Sequence, residues 1–132
     1  MAFAHVIYGD QADRTQVHKI TDLTNTPVEI ATKACTILHI HWDNTGDTAI
    51  NYLKAVDGTS VTVTDDKPDL VLSMSPDQIE EMGSNNWTGA FTAGLTIWAT
   101  SVKTSGNTAA QSITQTAPST TPEVTITIIP NV

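Results

Sequence analysis

The chain has 132 residues, a formal net charge of -8 and a sequence pI of about 4.6. A polyanion is repelled by nucleic acid and by anionic membrane surfaces, so the charge argues against both as partners. The length suits a single domain, residues 1–132, with a core of its own, and the lone cysteine, Cys35, excludes an intrachain disulfide.

The composition favours β-structure. Charged residues make up only 15% of the chain. Threonine takes about one position in six, which suits the solvent face of a strand because threonine is both β-branched and polar. Short Thr-, Val- and Ile-rich runs between turn clusters predict an all-β chain, an antiparallel β-sandwich that is jelly-roll-like and has extended terminal segments.

The chain carries no pattern of a targeting or membrane-spanning segment. The N-terminal residues lack the basic and apolar regions of a secretory signal. No run approaches the ~20 apolar residues of a membrane span. We therefore expect a soluble protein that is made and folded in a cytoplasm.

The first third of the chain predicts three strands and a further apolar segment. Phe3 to Tyr8 is a short apolar run that forms a first strand or an arm. Thr15 to Leu23 alternates imperfectly, and Val28 to Trp42 has room for two strands with a break around Thr32-Lys33. The core face predicted for the second of these two strands consists of Leu38, Ile40 and Trp42.

The middle of the chain predicts a hairpin, two further strands and one helical turn. Asp43 to Asp47 is the strongest turn signal, and we expect it to join the preceding strand to Thr48–Val56 in a hairpin. Val61 to Thr64 and Leu70 to Met74 have strand composition. Ser75 to Gly83 has Ser at the cap, Pro at the first position and Gly at the end, which predicts one or two turns of helix.

The last third predicts two strands and an excursion between them. Gly89 to Lys103 reads as a long strand. Residues 109–122 are rich in Thr, Ser and Ala, contain two prolines and predict an extended excursion. Residues 123–132 supply a C-terminal strand, which either returns to the same sheet or is added to the sheet edge of a neighbouring subunit.

The sequence contains no recognisable catalytic constellation. His39 and His41 share one strand face, but a stable metal site needs a third ligand. We interpret them as polar residues on an exposed or interfacial face, with a metal site at an oligomer axis and a pH-sensitive subunit contact as alternatives. Asp65, Asp66 and Asp69 lack the spacing and the glycine of an EF-hand loop. We therefore expect no enzyme activity, no cofactor and no metal.

Several bulky or reactive residues have a structural interpretation. Trp42 and Trp98 lie in predicted strands and are expected in the core, whereas Trp87 lies in a loop-like run and could expose its ring at an interface or stack on a sugar. Cys35 lies inside an apolar run and is expected to be a buried small hydrophobe.

Three pieces in the middle of the chain form a recognisable series. The first is NYLKA at residues 51–55, the second is Lys67-Pro68 before Leu70-Val71-Leu72, and the third is GAFTAGLTIWAT at residues 89–100. Together they resemble small virion-associated proteins of tailed bacteriophages, in which a Y-(V/L)-K strand precedes a Pro-centred break, an apolar strand and an F-x-x-G-(L/I) strand that ends in Ala-Thr. The match covers roughly half of the chain and departs from the pattern at residues 55–57, where a second aromatic is expected.

The resemblance implies a compact β-sandwich on the virion, assembled in the host cytoplasm. The leading hypothesis is a non-enzymatic capsid decoration (cement) protein that self-associates as a trimer or dimer and bridges subunits of the major capsid protein lattice. The alternative is a tail, fibre or adsorption-associated module that binds a glycan, and a metal-dependent enzyme is a third hypothesis. The expected interface residues are Phe3, His5, Ile7, Tyr8, His39, His41, Trp87, Val124, Ile126 and Ile128.

Overall fold

The computed structural model describes residues 3–8, 15–83, 91–103 and 114–130. Within these ranges the chain forms nine β-strands and no helix. The strands are β1 (Ala4–Tyr8), β2 (Gln16–Thr21), β3 (Val28–Ala31), β4 (Cys35–Asp43), β5 (Asn51–Val56), β6 (Leu70–Met74), β7 (Ile79–Gly83), β8 (Leu95–Thr100) and β9 (Glu123–Pro130). The described residues accordingly include no helix with the length and apolar character needed to cross a membrane.

The strands form two antiparallel sheets that pack together, which confirms the predicted all-β sandwich. The five-stranded sheet has the order β1-β2-β9-β4-β7, and the four-stranded sheet has the order β3-β8-β5-β6. The inner faces of the two sheets supply one core, in which the side chains of Ile40, Ile97 and Ile126 are 0% exposed. Removal of this apolar surface from water is the main favourable contribution to folding.

The C-terminal strand β9 returns to the middle of the chain's own five-stranded sheet, between β2 and β4. Its inward side chains, Val124, Ile126 and Ile128, are 0% exposed. The expectation that these three residues form a contact between subunits is therefore corrected, because strand alternation turns them into the core and leaves Thr125 and Thr127 on the outer face.

The predicted hairpin between β4 and β5 is wrong, because the two strands lie in different sheets. The predicted turn does exist, but residues 44–50 carry the chain from one sheet to the other. Asn51 Nδ2 donates to Asn44 Oδ1 and to Asp47 Oδ2, both at 2.9 Å. Buried polar groups need such partners, and this network satisfies several of them at the crossing between the sheets.

The predicted helical turn at Ser75–Gly83 is also wrong. Residues 76–77 form a turn, and β7 then pairs with β4 at the edge of the five-stranded sheet. The Glu80 carboxylate accepts from Ser75 N at 2.8 Å and from Trp42 Nε1 at 3.2 Å. A helix this short is marginal in water, whereas pairing with β4 gives the backbone of the segment its hydrogen bonds.

A β-bulge changes which side chains of β4 face the core. The register of β4 against β9 shifts between Ile37 and His39, so Leu38 is the extra residue. Leu38 is only partly buried, while Ile37 is 1% exposed. The prediction that Leu38 faces the core is wrong because an inserted residue re-aims the side chains that precede it. Ile40 and Trp42 are buried as predicted.

Candidate functional site

The N-terminal strand β1 lies at an edge of the five-stranded sheet and pairs with β2. Phe3 is 50% exposed, Tyr8 is 55% exposed, and Val6 and Ile7 between them are 42% and 43% exposed. Four of the seven exposed large hydrophobic residues in the described part of the chain therefore lie in this one segment. An unpaired edge with apolar side chains is a template for the addition of another strand.

The other sheet edges offer less to a partner. β7, at the opposite edge of the same sheet, carries Glu80 and Glu81, and β3 carries the exposed Glu29 beside a register shift. β6 is uncharged, but Val71 is its one exposed large hydrophobic residue. β1 has no carboxylate, lysine, arginine, proline or bulge. It is therefore the edge that is least protected against strand addition.

A groove lies beneath β1 on the inner side of the sheet. Cross-strand pairing places His5 opposite Ile20 and Ile7 opposite His18. Because Ile20 and His18 are buried, alternate residues of β1 also face inward. The groove has a volume of about 440 Å³ and is lined by Phe3 and His5 on one side and by Thr24 and residues 26–29 on the other.

A chain of side-chain contacts ties β1 to β2. His5 Nε2 lies 2.9 Å from His18 Nδ1, and His18 Nε2 lies 3.0 Å from Gln16 Oε1. In each contact one atom donates a hydrogen and the other accepts it. If both histidine rings were fully protonated, two N–H donors would face each other in the His5–His18 contact. Burial lowers the pKa of His5, and burial together with the neighbouring His5 lowers the pKa of His18 to about 4. The two rings are therefore uncharged at pH 7.

His39 and His41 lie on the outer face of β4, opposite Gly83 and Glu81 of β7. His39 Nε2 is 3.4 Å from Glu81 Oε2, and the His39 side chain is 38% exposed. No group of three or more His, Cys, Asp or Glu side chains within the described ranges is arranged to hold a metal ion. Within the described part of one chain the pair therefore has no third ligand, and a metal site at an oligomer axis stays a prediction. Their role in a subunit contact stays a prediction.

The acidic loop around Pro68 uses its carboxylates to form turns. Asp66 Oδ2 accepts from Thr62 N at 2.7 Å, and Asp69 Oδ2 accepts from Asp57 N at 2.7 Å. Residues 63–65 form a turn, so the strand predicted for Val61–Thr64 is wrong. A side chain that bonds to nearby backbone offers the chain an alternative to strand pairing.

A buried lysine on the outer face of the four-stranded sheet is the feature that sequence reasoning missed. Lys54 on β5 lies opposite Trp98 on β8, and both side chains are 0% exposed. Gln115 Oε1 accepts from Lys54 Nζ at 2.7 Å and from Trp98 Nε1 at 3.4 Å. Burial lowers the pKa of Lys54 to about 8.

Residues 114–118, here called the strap, cover these side chains. Gln115 in the strap is 1% exposed. Its backbone oxygen accepts from Asn25 Nδ2 at 2.7 Å, and the backbone oxygen of Thr116 accepts from Thr100 Oγ1 at 2.7 Å and from Ser101 N at 2.8 Å. The strap thus gives the outer face of the sheet a second, smaller buried region.

Asp57 anchors the loop that precedes β8. Its carboxylate accepts from Ala93 N at 2.8 Å, from Thr92 N at 2.9 Å and from Thr92 Oγ1 at 3.0 Å. The backbone hydrogen bonds from Ala93 and Thr92 hold the pKa of Asp57 below its usual range. This anchor explains why the strand predicted for residues 89–103 begins only at Leu95, since residues 92–93 are bent around the carboxylate.

Replacing Asp57 with alanine is expected to lower the free energy of unfolding by about 1 kcal/mol, because it removes an ionised acceptor from a partly exposed cluster of donors. Urea unfolding at pH 7 measures the loss. Glu29→Ala is the matched control, since it removes an exposed carboxylate of β3. Equal losses in the two variants would assign the effect to net charge and contradict the anchoring role.

The other residues for which the sequence predicts a role are either buried or outside the described ranges. Trp42 and Trp98 are 3% and 0% exposed, so both are buried as predicted. Cys35 is 0% exposed, and burial raises the pKa of its thiol to about 11, which confirms its interpretation as an inert buried side chain. Trp87, with its predicted interface role, lies outside the described residues.

Comparison with known proteins does not place the chain in a family. No family model matches it, nor does any curated protein or solved structure. The candidate site therefore rests on its geometry, which is an unprotected apolar edge strand with a groove beneath it. Such a surface suits the binding of another polypeptide.

Proposed function

We propose that this chain is a non-enzymatic structural protein of a phage virion, a capsid decoration protein that bridges neighbouring capsid subunits. The observation that carries the proposal is the β1 edge, an uncharged strand with three exposed large apolar side chains and a fourth, Phe3, directly before it. The resemblance of the middle of the chain to virion-associated phage proteins supports a location on the virion. Strand addition at β1 is the mode of binding.

The charge of the chain favours a capsid protein over a second copy as the occupant of β1. Two copies that each carry a net charge of -8 repel each other at long range. The edge is also small, since four side chains that each expose roughly 100 Å² offer about 400 Å² per copy, half of what a standard stable interface buries on each side.

A lattice compensates for a weak single contact. If the chain self-associates as a trimer or dimer through another surface, each copy presents a β1 edge to lattice sites held at fixed spacing. The second binding event then has a high effective concentration, and the overall affinity exceeds that of one contact by orders of magnitude. A small docking edge is therefore suited to an assembled capsid and unsuited to a free capsid subunit. The protein is expected to bind empty capsids and to leave the monomeric capsid protein unbound.

Co-sedimentation with undecorated capsids of the phage that encodes the chain tests the proposal, with Tyr8→Lys as the variant. The substitution places a charge at the β1 edge and removes a 55% exposed ring, so capsid affinity is expected to fall about tenfold or more, equivalent to 1.4 kcal/mol. Val71→Lys adds the same charge at the edge of β6 and should bind like the wild type.

Light scattering on the free protein completes the test. Saturable binding of the wild type at a fixed ratio to capsid subunits, lost in Tyr8→Lys, supports the decoration role. Absence of capsid binding together with a stable free oligomer contradicts it and favours the tail or adsorption apparatus. Equal loss of binding in both lysine variants would show that added charge, and not the β1 edge, controls the interaction.

A further inference from the structure

The groove beneath β1 indicates what kind of strand the edge accepts. A strand added to a sheet edge lies about 4.8 Å from its neighbour, and every second side chain of the new strand points to the inner side of the sheet. On that side of β1 the added side chains meet the groove rather than a packed core, because the groove lies directly beneath Phe3 and His5. We infer that the groove binds alternate apolar side chains of the added strand, and that this strand carries a basic residue beside Glu29.

The lining of the groove selects apolar side chains. Phe3, Pro27 and Val28 present hydrocarbon to the space, and the His5 ring is neutral at pH 7 because burial lowers its pKa. A volume of about 440 Å³ exceeds what one or two water molecules require and accommodates more than one large side chain. Filling it with hydrocarbon removes apolar surface from water on both partners.

The negative charge at the rim of the groove favours a basic residue next to the apolar part of the added strand. Glu29 is exposed, and of the described residues that line the groove it is the one that carries a charge at pH 7. Within the acidic field of the whole chain it attracts a lysine or arginine and repels a carboxylate. This requirement excludes β1 of a second copy as the best occupant, since residues 3–8 contain neither lysine nor arginine. The inference deepens the proposed function and rests on it for the identity of the capsid as the source of the strand.

Synthetic peptides test the inference without a capsid. The probe is the peptide Lys-Thr-Val-Thr-Leu-Thr-Val-Thr-Lys, which is apolar at alternate positions and basic at its ends. One control peptide has serine at the three apolar positions, and another has glutamate in place of both lysines. Fluorescence anisotropy is expected to show at least about tenfold weaker binding of the serine peptide and at least about threefold weaker binding of the glutamate peptide.

Two variants of the protein locate the binding site. Phe3→Ala is expected to weaken the basic peptide about fivefold or more, whereas Ile79→Ala, which truncates a 57% exposed residue on β7, should leave its affinity within about twofold of the wild type. Glu29→Gln should reduce the preference for the basic over the glutamate peptide. Amide chemical-shift changes on titration are expected in β1 and in residues 24–29.

Some results would overturn the inference. Equal binding of the apolar and serine peptides, equal effects of Phe3→Ala and Ile79→Ala, or shift changes confined to another surface each contradict it. If the basic peptide does not bind while capsid binding still depends on Tyr8, the proposed function is supported and the groove is not the element that recognises the capsid. If the peptides bind as expected while capsids do not, the groove stands and the decoration role is wrong.

Discussion

Replacing Lys54 with methionine is expected to raise the free energy of unfolding at pH 7 by about 2 kcal/mol. Lys54 is 0% exposed, and burial lowers its pKa from 10.5 to about 8. At pH 7 the side chain is still mainly protonated, so the folded state bears the cost of a desolvated ammonium group. Methionine keeps most of the volume and removes the charge, although Gln115 loses one hydrogen-bond donor.

The pH dependence of stability provides the sharper readout for Lys54. Below pH 8 the folded and unfolded states are both protonated, and the full cost is present. Between pH 8 and pH 10.5 the folded state releases its proton first, so the free energy of unfolding rises with pH. The advantage of Lys54→Met over the wild type should therefore shrink by about 1 kcal/mol between pH 7 and pH 9.

Urea unfolding of the wild type and of Lys54→Met at pH 7 and pH 9 measures the difference between their free energies of unfolding. The titration of Cys35 does not affect this difference, because both proteins contain Cys35. Lys54→Ala is the companion variant, and its cavity should destabilise the protein by about 2 kcal/mol or more at pH 7. A constant difference between wild type and Lys54→Met across the pH range would show that Lys54 titrates normally. A loss of stability in Lys54→Met would show that the interactions of the Lys54 side chain, including its bond to Gln115, outweigh the desolvation cost.

Acidification from pH 7 to pH 5 is expected to destabilise the protein by about 2 kcal/mol through His18. His18 has a folded-state pKa of about 4 against an ordinary value of 6.5, so the unfolded chain binds more protons throughout this window. Stability is therefore fully present above pH 6.5 and falls as the pH decreases towards 4. The main structural cause is the burial of the His18 ring, to which the neighbouring His5 adds.

The surroundings of His18 explain why protonation is so unfavourable. The side chain is 1% exposed, and its cross-strand neighbours are Ile7 on β1 and Ile126 on β9. Among the described residues, the polar groups that contact it are His5 and Gln16, neither of which is a carboxylate. Glu29 shares the groove with His5 but is exposed. Within the described ranges a charge on His18 thus has no buried counter-ion to stabilise it.

Thermal or urea unfolding between pH 5 and pH 7 measures the effect of His18 on stability. This window lies above the pH range in which most carboxylates titrate, so their contribution to the slope is small. His18→Leu is expected to remove most of the slope, whereas His41→Gln, on the outer face of β4, should keep it. An unchanged slope in His18→Leu would contradict the assignment to His18. Amide hydrogen exchange at pH 5 should also show earlier loss of protection in β1, because the His5–His18 contact joins that edge strand to the sheet.

The positions of most strands could be predicted from the sequence because they depend on local chemistry. Alternation of apolar and polar residues predicted β2 and β9, and a Pro-centred break set off β6. The same local rules failed where a side chain bonds to distant backbone. The Glu80 carboxylate and pairing with β4 make residues 79–83 a strand, although the Ser-Pro start and the terminal glycine are typical of a short helix.

The candidate site was predicted in part for a similar reason. The apolar run of β1 is visible in the sequence, and Phe3, His5, Ile7 and Tyr8 do lie together at an exposed edge. Their role as an interface stays a prediction. The partner of His5 was not predictable, since the contact with His18 depends on the register between β1 and β2. Register is set by pairing across strands and cannot be derived from spacing along one strand.

The sequence by itself determined the all-β class of the fold, because β-branched residues at alternate positions and frequent turn residues favour short antiparallel strands. The tertiary structure alone decided which face of each strand is covered. Lys54 lies on the face that alternation assigns to solvent, and it is buried because the strap returns across it from a distant part of the chain. Val124, Ile126 and Ile128 likewise became core residues only when β9 inserted between β2 and β4. Burial depends on contacts between distant segments, so a local pattern shows which side chains share a face but not what covers that face.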